Sequence, residues 1–137
     1  MRRRTSDAWY LGTPAAVAAG GWMALIFGLS SIPAEEIPGT LGPYTALGHF
    51  GLYAVLGGLL LLALAPRMGR LEHAAAIAAL IASAYGVTDE FHQSFVAGRS
   101  PDPVDWVVDT LGALVATIVI ALLLRHHRHR REDAPLP

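Results

Sequence analysis

Apolar residues run through this chain in four long stretches, with no alternation of polar and apolar positions inside them. The stretches extend from about Tyr10 to Ser31, Ala46 to Ala65, Leu71 to Val87 and Val104 to Leu124. A helix needs about 20 apolar residues to cross the hydrocarbon core of a bilayer. Barrel strands would alternate, so unbroken runs predict helices. Each run has a stop: Pro33 after the first, Pro66 after the second, Asp89 at the end of the third, and RHHRHRR after the fourth. The Asp102-Pro103 pair reads as a helix start, an N-cap followed by proline in the first turn. The third run is the shortest, because Glu72 and His73 interrupt its beginning; a re-entrant or tilted helix is the alternative there. The expected fold class is all-α, an integral membrane bundle of four transmembrane helices. A basic tail over 1–9 and another over 125–137 flank a membrane domain over 10–124.

Charge then orients the bundle. The chain has 137 residues, just over half of them hydrophobic, too few charges for a water-facing surface, and a formal net charge of -1. All ten basic residues are arginine, and nine fall on one side of a four-span arrangement: Arg2, Arg3 and Arg4, Arg67 and Arg70, and Arg125, Arg128, Arg130 and Arg131. Only Arg99 falls on the other. The positive-inside rule predicts that both termini and the Arg67–Arg70 loop are cytoplasmic, with the loops Ile32–Thr45 and Glu90–Pro103 outside. The first apolar run is too long for the core of a cleaved signal peptide, so a retained span is expected. The absence of cysteine excludes disulfides, thiolate metal sites and cysteine nucleophiles. No nucleic-acid partner is expected; the bilayer is.

Polar residues within the runs are few and unevenly placed. Ionisable groups at membrane depth are costly and mark functional sites by default. Ser30 and Ser31 end the first run. His49 and Tyr53 open the second, four apart and so on one helix face. Asp89, Glu90, His92 and Gln93 close the third, Gly98 and Arg99 follow in the loop, and Asp105 and Asp109 open the fourth, again four apart. Helices of alternating direction bring all of these to one leaflet. At a rise of about 1.5 Å per residue, Asp109 lies roughly 7 Å below its helix start. A carboxylate there must be paired, hydrated, metal-bound or protonated. Arg99 is the one fixed cation nearby and can pair with one or two of Asp89, Glu90, Asp102, Asp105 and Asp109. Gly20, Gly21, Gly57 and Gly58 are expected to permit close helix packing.

Three segments carry a family likeness: LSSIP at 29–33, HFGLYAVLG at 49–57 and DEFHQSFVAGRSPDPVDWVVDTLGAL at 89–114. Together they cover about a third of the chain. A DExHQ element, then GRxP, then an aspartate at a helix start resembles the VanZ-like family of bacterial membrane proteins. Ala97 stands where that family usually has Pro, and Asp109 where it usually has Asn. The resemblance implies a multi-pass protein of the bacterial cell membrane with a link to the envelope and to low-level teicoplanin resistance. It implies no particular reaction.

The residues leave three readings open. One is an enzyme acting at the outer leaflet on an amphiphilic, phosphate-bearing or lipid-linked envelope substrate. Its catalytic candidates are His49, Asp89, Glu90, His92, Arg99 and Asp105. Arg99 would clamp a phosphate or carboxylate, and His49 or His92 would serve as general acid/base. Ser31, Tyr53, Gln93, Arg99 and Asp109 are binding candidates. Asp89, Glu90, His92 and Asp105 form a candidate metal set for a divalent cation such as Mg2+. The second reading is a non-enzymatic binder or modulator of a lipid head, a glycopeptide-related ligand or an ion. The third is a satisfied polar network that only fixes helix register. For a single residue such as Tyr53, Gln93 or Ser31 the structural reading is the better one; five carboxylates beside two histidines exceed what structure requires. His126, His127 and His129 are read as part of a topology-setting tail.

Overall fold

The computed structural model describes residues 4–38 and 45–132. Helix α1 spans Arg4–Ser30, α2 Thr45–Leu64, α3 Leu71–Gln93 and α4 Pro103–Glu132, with one 3-10 turn at Ala34–Glu36. All four contain a segment long and apolar enough to cross a membrane. The all-α, four-span reading is therefore right. Residues 1–3 of the basic N-terminal stretch and 133–137 of the C-terminal one lie outside the described residues.

The helix ends differ from expectation in instructive ways. α3 is one continuous helix, neither re-entrant nor cut short at Val87. It carries Asp89 and Glu90 a full turn further because protein donors meet their carboxylates, as described below. α4 begins where Asp102-Pro103 predicts: the Asp102 side chain accepts from the Val104 N–H at 2.8 Å, satisfying an amide with no partner in the first turn. The same helix runs on through the basic stretch to Glu132. That stretch holds no Pro or Gly, and cations are favoured at a helix C-terminus by the macrodipole.

α2 is the centre of the bundle, packed against each of the other three helices. Its largest interface is with α4, while α1 and α3 barely touch. Small residues make the α2–α4 approach possible. A Cβ at Gly57 would lie 2.9 Å from the Ala113 carbonyl oxygen, and one at Gly112 would overlap the Phe50 carbonyl. Gly20 and Gly21, also expected in close contacts, face open space. They belong to the lipid-facing surface, along with exposed apolar side chains such as Val17, Leu80, Phe91 and Ile118. Without water in the hydrocarbon, buried donors must find protein acceptors. Trp22 Nε1 donates to the Leu52 carbonyl at 2.8 Å, tying α1 to α2. Tyr85 Oη donates to the Met23 carbonyl at 2.7 Å, tying α3 to α1. Ser83 and Thr110 hydroxyls meet at 2.8 Å, tying α3 to α4.

This packing makes a direct prediction. Gly57→Ala and Gly112→Ala force apart two backbones and are expected to cost about 1–3 kcal/mol each. Gly20→Ala and Gly21→Ala, in open helix interiors, are expected to be neutral or to stabilise by up to about 1 kcal/mol. Thermal unfolding of the four variants in one detergent separates the pairs; equal midpoints would show that the α2–α4 approach is not as described.

Candidate functional site

The polar ends of the four helices meet at one end of the bundle. α1 and α3 arrive there and α2 and α4 leave from it, so residues about 60 apart in the chain become neighbours. Ser30 Oγ of α1 donates to Asp89 Oδ2 of α3 at 2.9 Å. His49 Nδ1 of α2 contacts Asp109 Oδ1 of α4 at 3.0 Å. Asp102 N donates to Glu90 Oε2 at 2.6 Å, joining the head of α4 to α3.

His49 is the hub. It forms an ion-pair contact with Asp109, whose side chain is completely buried. With Asp109 ionised the carboxylate can only accept, which puts the imidazole proton on Nδ1 and leaves Nε2 as the ring nitrogen for other work. His49 lines a small cavity of about 60 Å³, together with Ile26, Leu29 and Leu52 and the polar residues Ser30, Tyr53, Asp89, Gln93 and Arg99. His49, Glu90 and Asp105 also each offer a ligating atom, all within 4.8 Å of one another.

Burial sharpens the chemistry. Asp109, Tyr53, Asp89 and Glu90 are 0%, 1%, 3% and 7% exposed. Each keeps one polar atom without a hydrogen-bond partner among the described residues: Asp109 Oδ2, Tyr53 Oη, Asp89 Oδ1 and Glu90 Oε1. Unsatisfied buried polar atoms are rare in native proteins and call for an explanation each time. Four from three helices at one end of a bundle point to a common one. Asp89 is the best satisfied, since Oδ2 also receives Gln93 Nε2 at 3.4 Å.

Arg99 pairs with none of the five carboxylates open to it, whereas His49 pairs with Asp109. Arg99 Nε instead donates to the Ile32 carbonyl at 3.2 Å, and the residue lines the cavity. Backbone geometry sets this position. Ala34 N donates to the Ala97 carbonyl at 3.1 Å. Gly98 has φ +69°, and a Cβ there would come within 3.0 Å of Ala34 Cβ. Both the turn and the contact require glycine.

His92 and Ser31 form a separate contact at 2.9 Å. The Ser31 hydroxyl donates to the Phe27 carbonyl at 2.7 Å, so its single proton is committed. His92 must then be the donor, and in this arrangement it does not activate Ser31 as a nucleophile. His92 stacks on Phe27 with ring centroids 4.3 Å apart. His92 and Ser31 do not line the cavity; Ser30 does. Of the candidate metal set, only Glu90 and Asp105 come together, with His49 in the place given to Asp89 and His92. Gly86 was missed. A Cβ there would press on Trp106 Cδ1 at 3.3 Å and lie in ordinary contact, at 3.5 Å, with Asp109 Oδ2 and Tyr53 Cε1, so this point of α3 borders the acid and the phenol directly. The only sequence signal was a glycine just before the TDE run.

The His49–Asp109 contact predicts coupling. In a cycle of His49→Ala, Asp109→Ala and the double variant, unfolding in detergent is expected to be non-additive by about 1 kcal/mol or more. Additive losses would mean that the two side chains do not interact.

Comparison with known proteins gives one match. The VanZ/LLP1 family model fits residues 15–125, which reach into all four helices and take in every residue of the site from Ser30 to Asp109. No curated protein and no solved structure matches the chain. With so much of its length matched, this multi-pass membrane protein belongs to the VanZ/LLP1 family.

Proposed function

We propose that this protein takes the polar head of a phosphate-bearing or lipid-linked envelope amphiphile into the His49 site and acts on it chemically. The site would face outward from a bacterial cell membrane, with both arginine-rich termini in the cytoplasm. The observation that carries the reading is the cavity itself. It combines the guanidinium of Arg99 with the buried, incompletely bonded Asp89 and Tyr53 and with His49 held by Asp109. A planar guanidinium with unused donors suits a phosphate or carboxylate. Buried carboxylates suit a ligand that also carries hydroxyl or ammonium donors. At about 60 Å³ the cavity takes one small group and not a whole lipid head, so the remainder of the ligand would lie along the membrane surface. The apolar members Ile26, Leu29 and Leu52 suit an amphiphile. His49, with Asp109 fixing its ring, is the residue presented to the reacting group. Asp89 and Gln93 would orient the head, and Glu90 and Asp105 flank His49. The family likeness, with its link to teicoplanin resistance, supports a ligand in the envelope.

A second reading is favoured by one observation. The Ser31 proton is held by a backbone carbonyl, so the serine–histidine pair does not supply a nucleophile. The same cavity would then bind the head without turning it over, and the protein would modulate what reaches the cell surface.

Both readings depend on Arg99. The protein in lipid nanodiscs is expected to release phosphate or head group from at least one member of a panel of envelope lipids. Losing a charge-assisted hydrogen bond costs about 1.5–3 kcal/mol, so Arg99→Ala is expected to lower turnover or affinity roughly 10- to 100-fold. Saturable binding without product selects the second reading. Wild-type behaviour of Arg99→Ala would remove both.

A further inference from the structure

His49, Glu90 and Asp105 come from three helices, and their ligating atoms lie within 4.8 Å of one another. Ligand atoms at about 2.0–2.2 Å from a bound ion are at most about 4.4 Å apart. Small side-chain rotations close the difference. Three further features point to a ligand. Glu90 is nearly fully buried, yet its Oε1 has no partner among the described residues. Its other oxygen is fixed by the Asp102 amide, which holds the carboxylate in place. His49 is oriented through Nδ1 by the buried Asp109, leaving Nε2 available. A carboxylate that fixes one ring nitrogen so that the other meets a cation is the usual second layer of a histidine metal site.

Charge gives the same answer. Asp89, Glu90, Asp105 and Asp109 lie around His49, and no arginine among the described residues pairs with any of them. Carboxylates removed from water must be compensated by partner, proton or cation. A divalent ion between Glu90 and Asp105 would compensate two of them.

We propose that His49, Glu90 and Asp105 bind a divalent transition-metal cation of the Zn2+ or Mn2+ type, with Asp109 as the residue that orients His49. The imidazole decides the class. Mg2+ and Ca2+ take oxygen ligands, whereas a mixed nitrogen and carboxylate set suits first-row transition ions. The site binds whether or not the protein is an enzyme. If the proposed function also holds, the ion is a second positive group beside the cavity that Arg99 lines, where it would meet an anionic head.

The test is binding, not activity. The full chain is purified without a polyhistidine tag and with His126, His127 and His129 replaced by Asn, so that the basic tail cannot compete. Titration with MnCl2, followed by loss of the free-ion EPR signal, and with ZnCl2 by calorimetry is expected to give one site per chain. His49→Ala, Glu90→Gln and Asp105→Asn are expected to weaken binding at least tenfold. Asp109→Asn is expected to weaken it about 10- to 100-fold through His49, and MgCl2 to bind at least tenfold more weakly than either ion. Helix content by circular dichroism and a monodisperse profile identify variants that have not folded. Glu90→Gln and Asp105→Asn are near-isosteric, so at least these remain informative. No saturable binding of Zn2+ or Mn2+, or binding unchanged in Glu90→Gln and Asp105→Asn, overturns the proposal. Failure here with Arg99-dependent binding of a lipid head intact removes the metal alone. Metal binding without any lipid-head binding removes the proposed function and leaves the metal site.

Discussion

A polar side chain inside the hydrocarbon has no water to turn to, and the organisation of this bundle follows from that constraint. His49 and Asp109 lie on helices that both leave the site end, so α2 and α4 are parallel neighbours although α3 separates them in sequence. Their side chains meet only if the two backbones approach closely and in one register. Gly57 against Ala113 and Gly112 against Phe50 supply that approach. Phe50 follows His49 directly, and Gly112 lies one turn beyond Asp109. The packing of α2 on α4 and the His49–Asp109 contact are therefore one arrangement, and a shift in either would undo the other. α3 then completes the enclosure: Gly86 borders Asp109, Tyr53 and Trp106, while Asp89 and Glu90 extend past the apolar run toward the same place.

Each acid reaches its position by a different local device. Asp89 is held by Ser30 and Gln93, Glu90 by the Asp102 amide, and Asp109 by His49. In every case one oxygen is engaged and the other is not. A network built only to fix helix register would be expected to satisfy both, because each unmet buried acceptor costs stability. Half-satisfaction repeated three times is a property of the set, to be met by a proton, water or a shared ligand. This separates the set as a whole from any single polar contact such as Ser83 with Thr110, where the two hydroxyls answer one another.

The spans and the gathering of polar residues at one end were legible in the sequence, because length, hydropathy and the alternation of helix direction determine them. The pairing of those residues was not. Adjacent positions on a helix point about 100° apart, so helix rotation decides whether Ser30 or Ser31 lines the cavity. It also decides whether His49 or His92 meets the acids of α4. Spacing placed His49 with Tyr53 and Asp105 with Asp109 on shared faces, but not which face turned toward which neighbour. The partner of Arg99 was open for a related reason. Counting charges allows the lone cation an acid, whereas the Gly98 turn and the Ala34–Ala97 contact place it against a backbone carbonyl and the cavity. The glycines show the same limit: composition cannot tell Gly20, which faces lipid, from Gly112, which faces Phe50.

Asp109 stands where the family likeness leads one to expect asparagine, and the geometry gives that difference a meaning. An asparagine oxygen could accept from His49 Nδ1 as Asp109 Oδ1 does, so the ring orientation does not need the charge. What the carboxylate adds is a charge-assisted hydrogen bond, roughly twice as strong as its neutral counterpart, and a negative charge where the side chain is completely buried. It also replaces an amide donor by a second acceptor, Oδ2, beside Gly86 and Tyr53. Tyr53 Oη has a proton to give and no acceptor among the described residues. The substitution thus makes the deepest part of the site more negative and richer in acceptors. A site changed in this way holds its histidine more firmly and favours whatever positive or proton-donating group approaches it.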